Sequence, residues 1–374
     1  MNNKNFINLD ARPFYGLNLS KKLEIPVIIY GAGNFGKDVY QCLIQSGIQV
    51  IAFLDRKATP ESQWNGVPIY PPDWQDLSTS QKEVVPIIIA IHNRDVEIPP
   101  IIAKLRLIGY RQFVQPVELY DLFSEELRDR FWLTSRLSYE TWQAEIEECL
   151  NLWEDTLSRN IYLTLLKYRI QGNPEILPMP DLARQYFPND IPAWPSPIRF
   201  IDCGAYDGDT LRNAQNLGIK FENVVLFEPD HTNFNRLTQF ISNGWGTPAF
   251  CWPCGVYLST DQMRFALEGG EGGKLNEASG SIIQVVALDD VLYGFRPNLI
   301  KMDIEGAEIE ALIGAKRQII ENKPGLAISV YHHPHHLWQI PLLVKTWNLD
   351  YRFYLRLHGH NGFETVMYAI PGEI

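Results

Sequence analysis

The sequence predicts an α/β protein with two doubly wound parallel sheets, one toward each end of the chain. A short apolar strand runs into a glycine-containing turn at residues 26–36 and again at residues 198–210. This is how the nucleotide-binding units of such sheets begin. Between them, residues 124–170 show helical periodicity rather than the alternation of strands. A length of 374 residues is sufficient for two separate cores.

Charge and composition exclude several classes of protein. The formal net charge is −11 and no block of Lys and Arg is present, so we expect no nucleic-acid partner, because phosphate binding needs clustered positive charge. No apolar stretch approaches the ~20 residues of a membrane span, and the polar start lacks a secretory signal. The sequence therefore predicts no membrane span and a cytoplasmic location. The odd number of cysteines, 5, indicates reduced thiols, and we expect Cys251 and Cys254 to be ordinary buried cysteines.

The first predicted domain, residues 24–120, follows an irregular arm at residues 1–23. A strand at Pro26–Tyr30 leads into a glycine turn, a helix at Phe35–Ser46, and a strand at Val50–Leu54 that ends in an acid. This is a Rossmann-like unit with a dinucleotide fingerprint in its usual context. The residues that carry the fingerprint are Gly31, Gly33, Gly36 and Asp55.

Residues 121–196 are predicted to join the two domains. Apolar residues recur at spacings of three and four around Ile146–Leu157 and Ile161–Tyr168, which favours a helical connector. A proline-rich stretch follows, from Pro174 to Pro197. Since prolines break helices, this stretch is predicted to be an ordered linker or a loop on the substrate side.

The second domain, residues 197–374, is predicted to contain a second doubly wound sheet. Its strands are predicted at Ile198–Ile201, Val224–Phe227, Ala249–Leu258, Ile282–Ala287, Leu299–Ile304, Leu326–Tyr331, Tyr351–Leu357 and Thr365–Ile370, with a helix at Ala307–Ile320.

The turn after the first of these strands points to a cationic nucleoside ligand. It is rich in acids, which would repel a pyrophosphate, and Glu228 at the end of the next strand is placed to accept hydrogen bonds from ribose hydroxyls. S-adenosylmethionine, with a ribose, an ammonium group and a sulfonium, fits these features. The predicted cofactor-binding residues are Asp202, Gly204, Asp207, Gly208 and Glu228.

A second acidic segment follows the strand Leu299–Ile304, with Asp303, Glu305 and Glu308. Ligands of open α/β sheets bind beyond the carboxyl ends of the strands. We therefore expect Asp202, Glu228 and Asp303 to converge on one crevice.

Taken together, the segments Asp-Cys-Gly-Ala-Tyr-Asp-Gly-Asp-Thr, Phe-Glu-Pro-Asp, Ala-Leu-Asp-Asp and Ile-Lys-Met-Asp-Ile-Glu-Gly-Ala-Glu resemble the FkbM family of S-adenosylmethionine-dependent methyltransferases. The resemblance covers residues 198–370 and implies a class I methyltransferase fold that acts on hydroxyl groups of sugars or natural products. It also implies that Asp202, Gly204, Gly208 and Glu228 hold the cofactor. Asp303 and Glu305 would lie at the reacting end.

The first domain resembles the nucleotide-sugar-binding Rossmann domains of bacterial sugar acetyltransferases. The likeness covers Gly31–Gly36, Ala52–Asp55, Gly66–Ile69 and Ile87–Ala90. It implies either a site for a nucleotide or for the carrier portion of a sugar, or a fold that serves as a scaffold or dimerisation surface. The sequence does not decide whether the chain forms a homo-oligomer.

The expected reaction is methyl transfer to a small-molecule or sugar acceptor, and it needs a general base or a metal. His332 and His358 are candidate bases because each ends a predicted strand. A divalent metal held by Asp303, Glu305 and a histidine is an alternative, although the spacing of these residues in the sequence does not require a metal. The segment Gly269–Gly273 is either a hairpin loop or a lid.

Two functions from other classes compete with this interpretation. In one, the chain is a nucleotide-binding or nucleotide-sugar-binding protein whose second domain is a scaffold. In the other, it is an NAD-dependent oxidoreductase, for which no Tyr-x-x-x-Lys pair is evident.

Overall fold

The computed structural model describes residues 25–74, 76–267, 273–275 and 281–372. The predicted arm and residues 269–272 of the glycine-rich segment lie outside these ranges. The described chain forms two compact units. The first comprises the described residues up to Glu147 together with Ile161–Met179 and Gly359–Phe363, and the second comprises Glu148–Asn160, Pro180–His358 and the described residues from Glu364 onward.

The first unit contains a six-stranded sheet. Its strands are β1 (Val27–Tyr30), β2 (Val50–Leu54), β3 (Gln63–Trp64), β4 (Val67–Tyr70), β5 (Pro86–Ile89) and β6 (Gln112–Val114). Their order is β3-β4-β2-β1-β5-β6, and every pair is parallel except β3 with β4. Every residue of β1 and β5 is buried, as expected for parallel strands that are covered on both faces. The predicted Rossmann-like sheet is confirmed.

Seven helices begin in the first 160 residues of the described chain. They are α1 (Asn34–Gln45), α2 (Thr79–Val84), α3 (Ile98–Leu107), α4 (Pro116–Leu127), α5 (Ser138–Thr141), α6 (Gln143–Leu150) and α7 (Thr156–Gln171). The helices of the predicted connector are divided between the two units, because α6 and α7 each contain residues of both.

The second unit contains a seven-stranded sheet. Its strands are β7 (Ile198–Cys203), β8 (Phe221–Phe227), β9 (Ala249–Trp252), β14 (Leu299–Met302), β15 (Gly325–Ser329), β16 (Tyr351–Leu357) and β17 (Thr365–Pro371), and β10 to β13 belong to the smaller sheet described next. The order is β16-β17-β15-β14-β7-β8-β9, with β17 antiparallel to both of its neighbours. From β7 the chain proceeds outward on one side through β8 and β9 and on the other through β14 and β15. The switch point, where such sheets bind ligands, therefore lies between β7 and β14.

The smaller sheet has four described strands, in the order β10-β13-β11-β12. They are β10 (Gly255–Val256), β11 (Asp261–Leu267), β12 (Gly273–Leu275) and β13 (Ser281–Val286). Two predictions change here. The strand predicted at Ala249–Leu258 is divided between β9 and β10 in different sheets, and the strand predicted at Ile282–Ala287 lies outside the main sheet.

Six helices accompany these strands in the described part of the second unit. They are α8 (Asp209–Asn216), α9 (His231–Ser242), α10 (Leu288–Val291), α11 (Glu308–Gly314), α12 (Lys316–Asn322) and α13 (His336–Lys345). The helix predicted at Ala307–Ile320 is interrupted at Ala315, whose ψ of 2° departs from helical geometry.

None of the described helices has the length and apolar character needed to cross a membrane. All five cysteines are free of disulfides, Cys254 is buried and Cys251 is half-buried.

Candidate active site

The turn between β7 and α8 depends on two glycines. Gly204 has φ +80°, and a Cβ there would lie 1.9 Å from the carbonyl oxygen of Asp303. Gly208 has φ +90°, and a Cβ there would lie 2.6 Å from the ring of Phe240. Only glycine adopts such a conformation in so little space without strain. The turn is thereby held at the switch point, directly beside the end of β14.

Glu228 lies next to this turn, as the sequence predicts. One carboxylate oxygen accepts a hydrogen bond from the backbone N–H of Tyr206 at 2.9 Å, and the other accepts from the backbone N–H of Asp230, also at 2.9 Å. Burial raises the pKa of Glu228 to about 7, against these two hydrogen bonds, which lower it. Since each carboxylate oxygen has two lone pairs, both oxygens retain capacity to accept a further hydrogen bond.

Asp202 does not reach the surface of this site. Its side chain is fully buried and forms an ion pair with Lys301 Nζ at 2.9 Å. Lys301 also donates a hydrogen bond to the carbonyl oxygen of Gly204 at 2.6 Å. Burial raises the pKa of Asp202 to about 6, and Lys301 opposes that shift. Through Lys301, Asp202 thus supports the backbone of the turn, and a direct contact between Asp202 and the cofactor stays a prediction.

Asp207 is also engaged within the protein. Its carboxylate pairs with the guanidinium of Arg212, which in addition donates to the backbone carbonyl of Asp207 at 2.7 Å. Asp202 and Asp207 are therefore paired with basic side chains, whereas the carboxylate of Glu228 is held beside the turn by two backbone donors.

A cluster of acids and histidines lies beyond β14, at the other side of the switch point. His332 Nε2 is 3.3 Å from Asp303 Oδ1 and 3.6 Å from Glu305 Oε2. On the opposite side of the ring, His332 Nδ1 is 2.8 Å from Glu308 Oε1. His332 and Glu308 are fully buried, whereas the side chains of Asp303 and Glu305 remain 19% and 26% exposed. Asp303 and Glu305 are thus the members of the cluster that a bound molecule can reach.

The charges of this cluster are strongly coupled. Burial opposes the protonation of His332, but Glu308, Glu305 and Asp303 together raise its pKa to about 10. Burial would raise the pKa of Glu308, and the neighbouring histidines hold it well below its usual range. Burial raises the pKa of Glu305 to about 7, with His332 lowering it and three carboxylates adding to the rise. Near neutral pH, His332 is therefore a cation, and Glu305 is present in both its protonated and its ionised form.

The backbone at Glu305 is unusual as well. Its φ is +58°, in the left-handed region that costs a non-glycine residue of order 1 kcal/mol or more. Such strain is typical of functional sites, where the surrounding structure fixes a side chain in place. Glu308 contributes to that fixation because its Oε1 accepts from the backbone N–H of Ile304 at 2.9 Å.

Four further residues of the cluster lie outside the sequence motifs that predict the site. Tyr186 Oη donates to Asp303 Oδ2 at 2.7 Å, and Tyr331 Oη lies 3.4 Å from Asp303 Oδ1 and 3.3 Å from Glu364 Oε1. Gln185 Nε2 donates to Glu364 and, at 3.0 Å, to Tyr186 Oη. Gln185 and Tyr186 belong to the proline-rich stretch, so its predicted location on the substrate side was the signal that could have identified them.

His358 does not have the environment expected of a catalytic base. Its Nδ1 is 2.7 Å from the carbonyl oxygen of Asp181, so it donates there, and its Nε2 accepts from Tyr368 Oη at 2.7 Å. Burial lowers the pKa of His358. With both ring nitrogens hydrogen-bonded, His358 anchors the proline-rich stretch, and its catalytic role stays a prediction.

Asp303, Glu308 and His332 each offer a ligand atom within 4.8 Å of the others, an arrangement that a divalent metal could use. Glu308, however, already accepts hydrogen bonds from Ile304 N and His332 Nδ1. The described geometry is accounted for by an ion pair between these side chains. The metal remains a prediction, and no comparison with known proteins supports it.

The glycine turn of the first unit has the predicted form. A Cβ on Gly31 would lie 2.7 Å from the carbonyl oxygen of Ala90, and one on Gly36 would lie 1.9 Å from that of Gly31. Gly33 caps α1 and has open space around it. Asp55 accepts hydrogen bonds from the backbone N–H groups of Ala32 and Lys57 at 2.9 and 2.8 Å. Gly31, Gly36 and Asp55 thus shape the turn, and Gly33 leaves it accessible.

Comparison with known families identifies both parts of the chain. Residues 202–361 match the methyltransferase FkbM domain, and residues 26–96 match the PglD N-terminal domain. No curated protein sequence is significantly similar to the chain.

A solved structure of a methyltransferase has the same fold. The methyltransferase FkbM from Methylobacillus flagellatus KT superposes with a TM-score of 0.76 at 22% identity, over 96% of this chain and 94% of that one. An rRNA methylase from Streptococcus thermophilus (13% identity, 46% of this chain, 86% of that chain, TM-score 0.30) is too distant to support a conclusion. The same holds for fibrillarin from Aeropyrum pernix with bound S-adenosyl-L-methionine (10% identity, 46% of this chain, 66% of that chain, TM-score 0.27).

The predicted methyltransferase fold is therefore confirmed, and the matched region contains the glycine turn together with Asp303, Glu305, Glu308 and His332. The chain thus contains a region that matches the PglD N-terminal domain, followed in sequence by a region that matches the methyltransferase FkbM domain, and it is a methyltransferase.

Proposed function

We propose that this methyltransferase transfers the methyl group of S-adenosylmethionine to a hydroxyl group of a sugar or sugar-containing metabolite, with Glu305 as the general base. The observation that carries the proposal is the position of Glu305. Its side chain is 26% exposed, and its buried Oε2 lies 3.6 Å from His332 Nε2, on the same side of the switch point as Asp303. A pKa of about 7 suits a base that works near neutrality.

The residues around the glycine turn fit the cofactor. Glu228 retains acceptor capacity on both carboxylate oxygens for the two ribose hydroxyls. Gly204 and Gly208 bring the backbone of the turn to the switch point without side chains in the way. When bound, S-adenosylmethionine supplies a methyl group on a positively charged sulfur.

The acidic cluster supplies the rest of the proposed mechanism. Glu305 accepts the proton of the acceptor hydroxyl, which makes the oxygen nucleophilic. Asp303, fixed by Tyr186, accepts a hydrogen bond from a neighbouring hydroxyl and orients the acceptor. The His332 imidazolium, held by Glu308, balances the negative charge that Asp303 and Glu305 bring together.

The same charges favour a neutral acceptor at this end of the site. Asp303, Glu305, Glu308 and Glu364 are all part of the described cluster, and the nearby Lys301 is buried against Asp202. A phosphate or carboxylate next to the reacting hydroxyl would be repelled.

The experiment is product analysis with a panel of acceptors. Purified protein is incubated with methyl-labelled S-adenosylmethionine and neutral glycosides, amino sugars and sugar phosphates, and products are identified by mass spectrometry. We expect methyl ethers of a neutral sugar. Label found on nitrogen or on a carboxylate would contradict the proposed acceptor class.

We also propose that the PglD N-terminal domain binds a nucleotide or the nucleotide portion of a sugar carrier. The favouring observation is the N-terminus of α1, where Gly33 provides no side-chain cap and no acid occupies the first turn. Backbone N–H groups at such a terminus suit a phosphate. Calorimetric titration with uridine diphosphate sugars tests this, with Gly33→Asp as the matched variant, because its carboxylate would cap the helix and repel phosphate. Equal binding by both proteins, or none by the wild type, contradicts the proposal.

A further inference from the structure

We infer that Tyr186 is a positioning residue of the methyl-transfer site: its phenol holds one oxygen of Asp303, and so sets the charge that Glu305 and His332 experience. The inference rests on the proposed role of Glu305. Tyr186 comes from the proline-rich stretch, far from the acidic motif in sequence, and lies outside every segment on which the family resemblance was based.

The contacts of Tyr186 join both sides of the switch point. Its hydroxyl donates to Asp303 Oδ2 at 2.7 Å, and its ring lies 5.1 Å from Lys301 Nζ. Lys301 in turn pairs with Asp202 and donates to the carbonyl oxygen of Gly204. One aromatic side chain therefore contacts the acid of the reacting end and the lysine that supports the cofactor turn.

The phenol can act only as a donor toward Asp303. Burial, reinforced by Asp303 and Glu364, raises the pKa of Tyr186 well above its usual value, so it keeps its proton. Because Asp303 Oδ2 is taken by Tyr186, Oδ1 is the oxygen that faces His332 Nε2, at 3.3 Å. Tyr186 therefore makes the shorter of the two phenol hydrogen bonds that orient Asp303, since Tyr331 Oη lies 3.4 Å from Oδ1.

The backbone of Tyr186 is held firmly enough for this role. Its φ is +66°, in the left-handed region that a bulky residue adopts only when its surroundings require it. The surroundings do so: the N–H of Tyr186 donates to Tyr368 Oη at 3.3 Å, and its carbonyl oxygen accepts from Trp194 Nε1 at 2.8 Å. Tyr368 is itself bound to His358. The buried His358 therefore contributes indirectly, by fixing the segment that carries Tyr186.

Glu305 provides a readout that does not need an identified acceptor. The titratable groups that act on it come from several elements and are Asp303, Glu308, His332 and Glu364. Removing the Tyr186 hydroxyl leaves more negative charge on Asp303, and a like charge nearby favours the protonated form of a carboxyl. The midpoint of the Glu305 titration should therefore move to higher pH, by about 0.5 to 1 pH unit.

The experiment is a pH titration by NMR of the full chain labelled with ¹³C-histidine, from pH 5.5 to 9. The His332 signal is identified by its loss in His332→Gln. Its chemical shift should change in a step near pH 7, which reports the ionisation of Glu305 and is absent in Glu305→Gln. In Tyr186→Phe, which keeps the ring over Lys301, this step should move upward. In Tyr293→Phe, whose side chain is 89% exposed, it should not move.

The outcomes separate the inference from the proposed function. An unchanged midpoint in folded Tyr186→Phe would overturn the positioning role alone. Absence of the step in wild-type protein would overturn the proposed base as well. If Tyr186→Phe does not fold, Gln185→Leu is introduced into Glu364→Gln protein and compared with Glu364→Gln alone. Gln185 donates to the Tyr186 oxygen at 3.0 Å, so its loss weakens that phenol as a donor, and the Glu364→Gln background removes the charge of its other partner. An upward shift supports the inference, and an unchanged midpoint overturns it.

Discussion

Gly204 and Asp303 meet backbone to backbone at the switch point of the main sheet, so closely that a Cβ on Gly204 would lie 1.9 Å from the carbonyl oxygen of Asp303. The backbone N–H of Asp303 also donates to the carbonyl oxygen of Cys203 at 3.1 Å. The turn that fits the cofactor and the acid of the reacting end are therefore parts of one rigid junction. Donor and acceptor sites are brought together by main-chain packing rather than by flexible side chains.

Substitution at this junction should be severe. Gly204→Ala places a methyl group against a carbonyl oxygen, in addition to the strain of a positive φ. Gly218→Ala is the matched control, because Gly218 has φ +72° but open space around it. We expect Gly218→Ala to lose about 1 kcal/mol of stability, and Gly204→Ala to lose more and to abolish binding of S-adenosylhomocysteine. Urea unfolding and calorimetry measure the two effects, and equal behaviour of the variants would contradict the account.

The buried pair of Lys301 and Asp202 should be essential for stability. Lys301→Met leaves a buried carboxylate without its cation, which typically costs about 3–5 kcal/mol. Lys345→Met is the control, since Lys345 pairs with Glu148 on the surface, where the two side chains are 47% and 56% exposed, and such pairs contribute at most about 1 kcal/mol. Urea unfolding compares the two variants. A loss in Lys301→Met as small as in Lys345→Met would show that Asp202 is not held as described.

Activity should depend on the protonation of Glu305. A base must be ionised to accept a proton, so kcat should rise with pH through about 7, the pKa of Glu305. Glu305→Gln should lower kcat by about 10²- to 10⁴-fold and leave binding of S-adenosylhomocysteine intact. The exposed Glu321→Gln serves as the control. Methyl transfer to the acceptor found by product analysis gives the rates, and a fully active Glu305→Gln would exclude this residue as the base.

His332 should make stability fall at alkaline pH. Its pKa is about 10 in the folded protein and about 6.5 in an unfolded chain. Its stabilising contribution is therefore complete below about pH 6.5 and is lost as the pH rises through 10, with a slope of at most about 1.4 kcal/mol per pH unit. Urea unfolding between pH 6 and 10 should show a shallower decline in His332→Gln than in wild type or in the exposed control His231→Gln. Identical slopes in all three proteins would mean that the neighbouring carboxylates do not stabilise the protonated form of His332.

Local patterns were sufficient to predict the sheets and the cofactor turn. Buried strands followed by glycines and an acid located the turn at Gly204 and Gly208, and Glu228 beside it, since these features follow from backbone sterics and from strands adjacent in sequence. The order of β14 beside β7 also follows from the usual arrangement of such sheets. His332 was predicted at the same edge because it ends a strand, and its Nε2 lies 3.3 Å from Asp303 Oδ1 and 3.6 Å from Glu305 Oε2.

The roles of individual side chains could not be predicted in the same way. Whether Asp202 faces a ligand or Lys301 depends on packing across two strands, and whether His358 is a base depends on the carbonyl oxygen of Asp181, 177 residues away in sequence. Tyr186 and Gln185 reach the cluster from a stretch without periodicity. The division of Ala249–Leu258 between two sheets has a similar origin, because strand propensity does not specify the partner strand.

The most direct test of the central claim is calorimetric titration of the purified protein with S-adenosylhomocysteine, beside Glu228→Ala and Glu305→Gln. The account predicts binding by the wild type and by Glu305→Gln, and loss of binding by Glu228→Ala. Undiminished binding by folded Glu228→Ala would contradict the assignment of the cofactor to this turn, and the absence of binding by folded wild-type protein would contradict the proposed methyl donor itself.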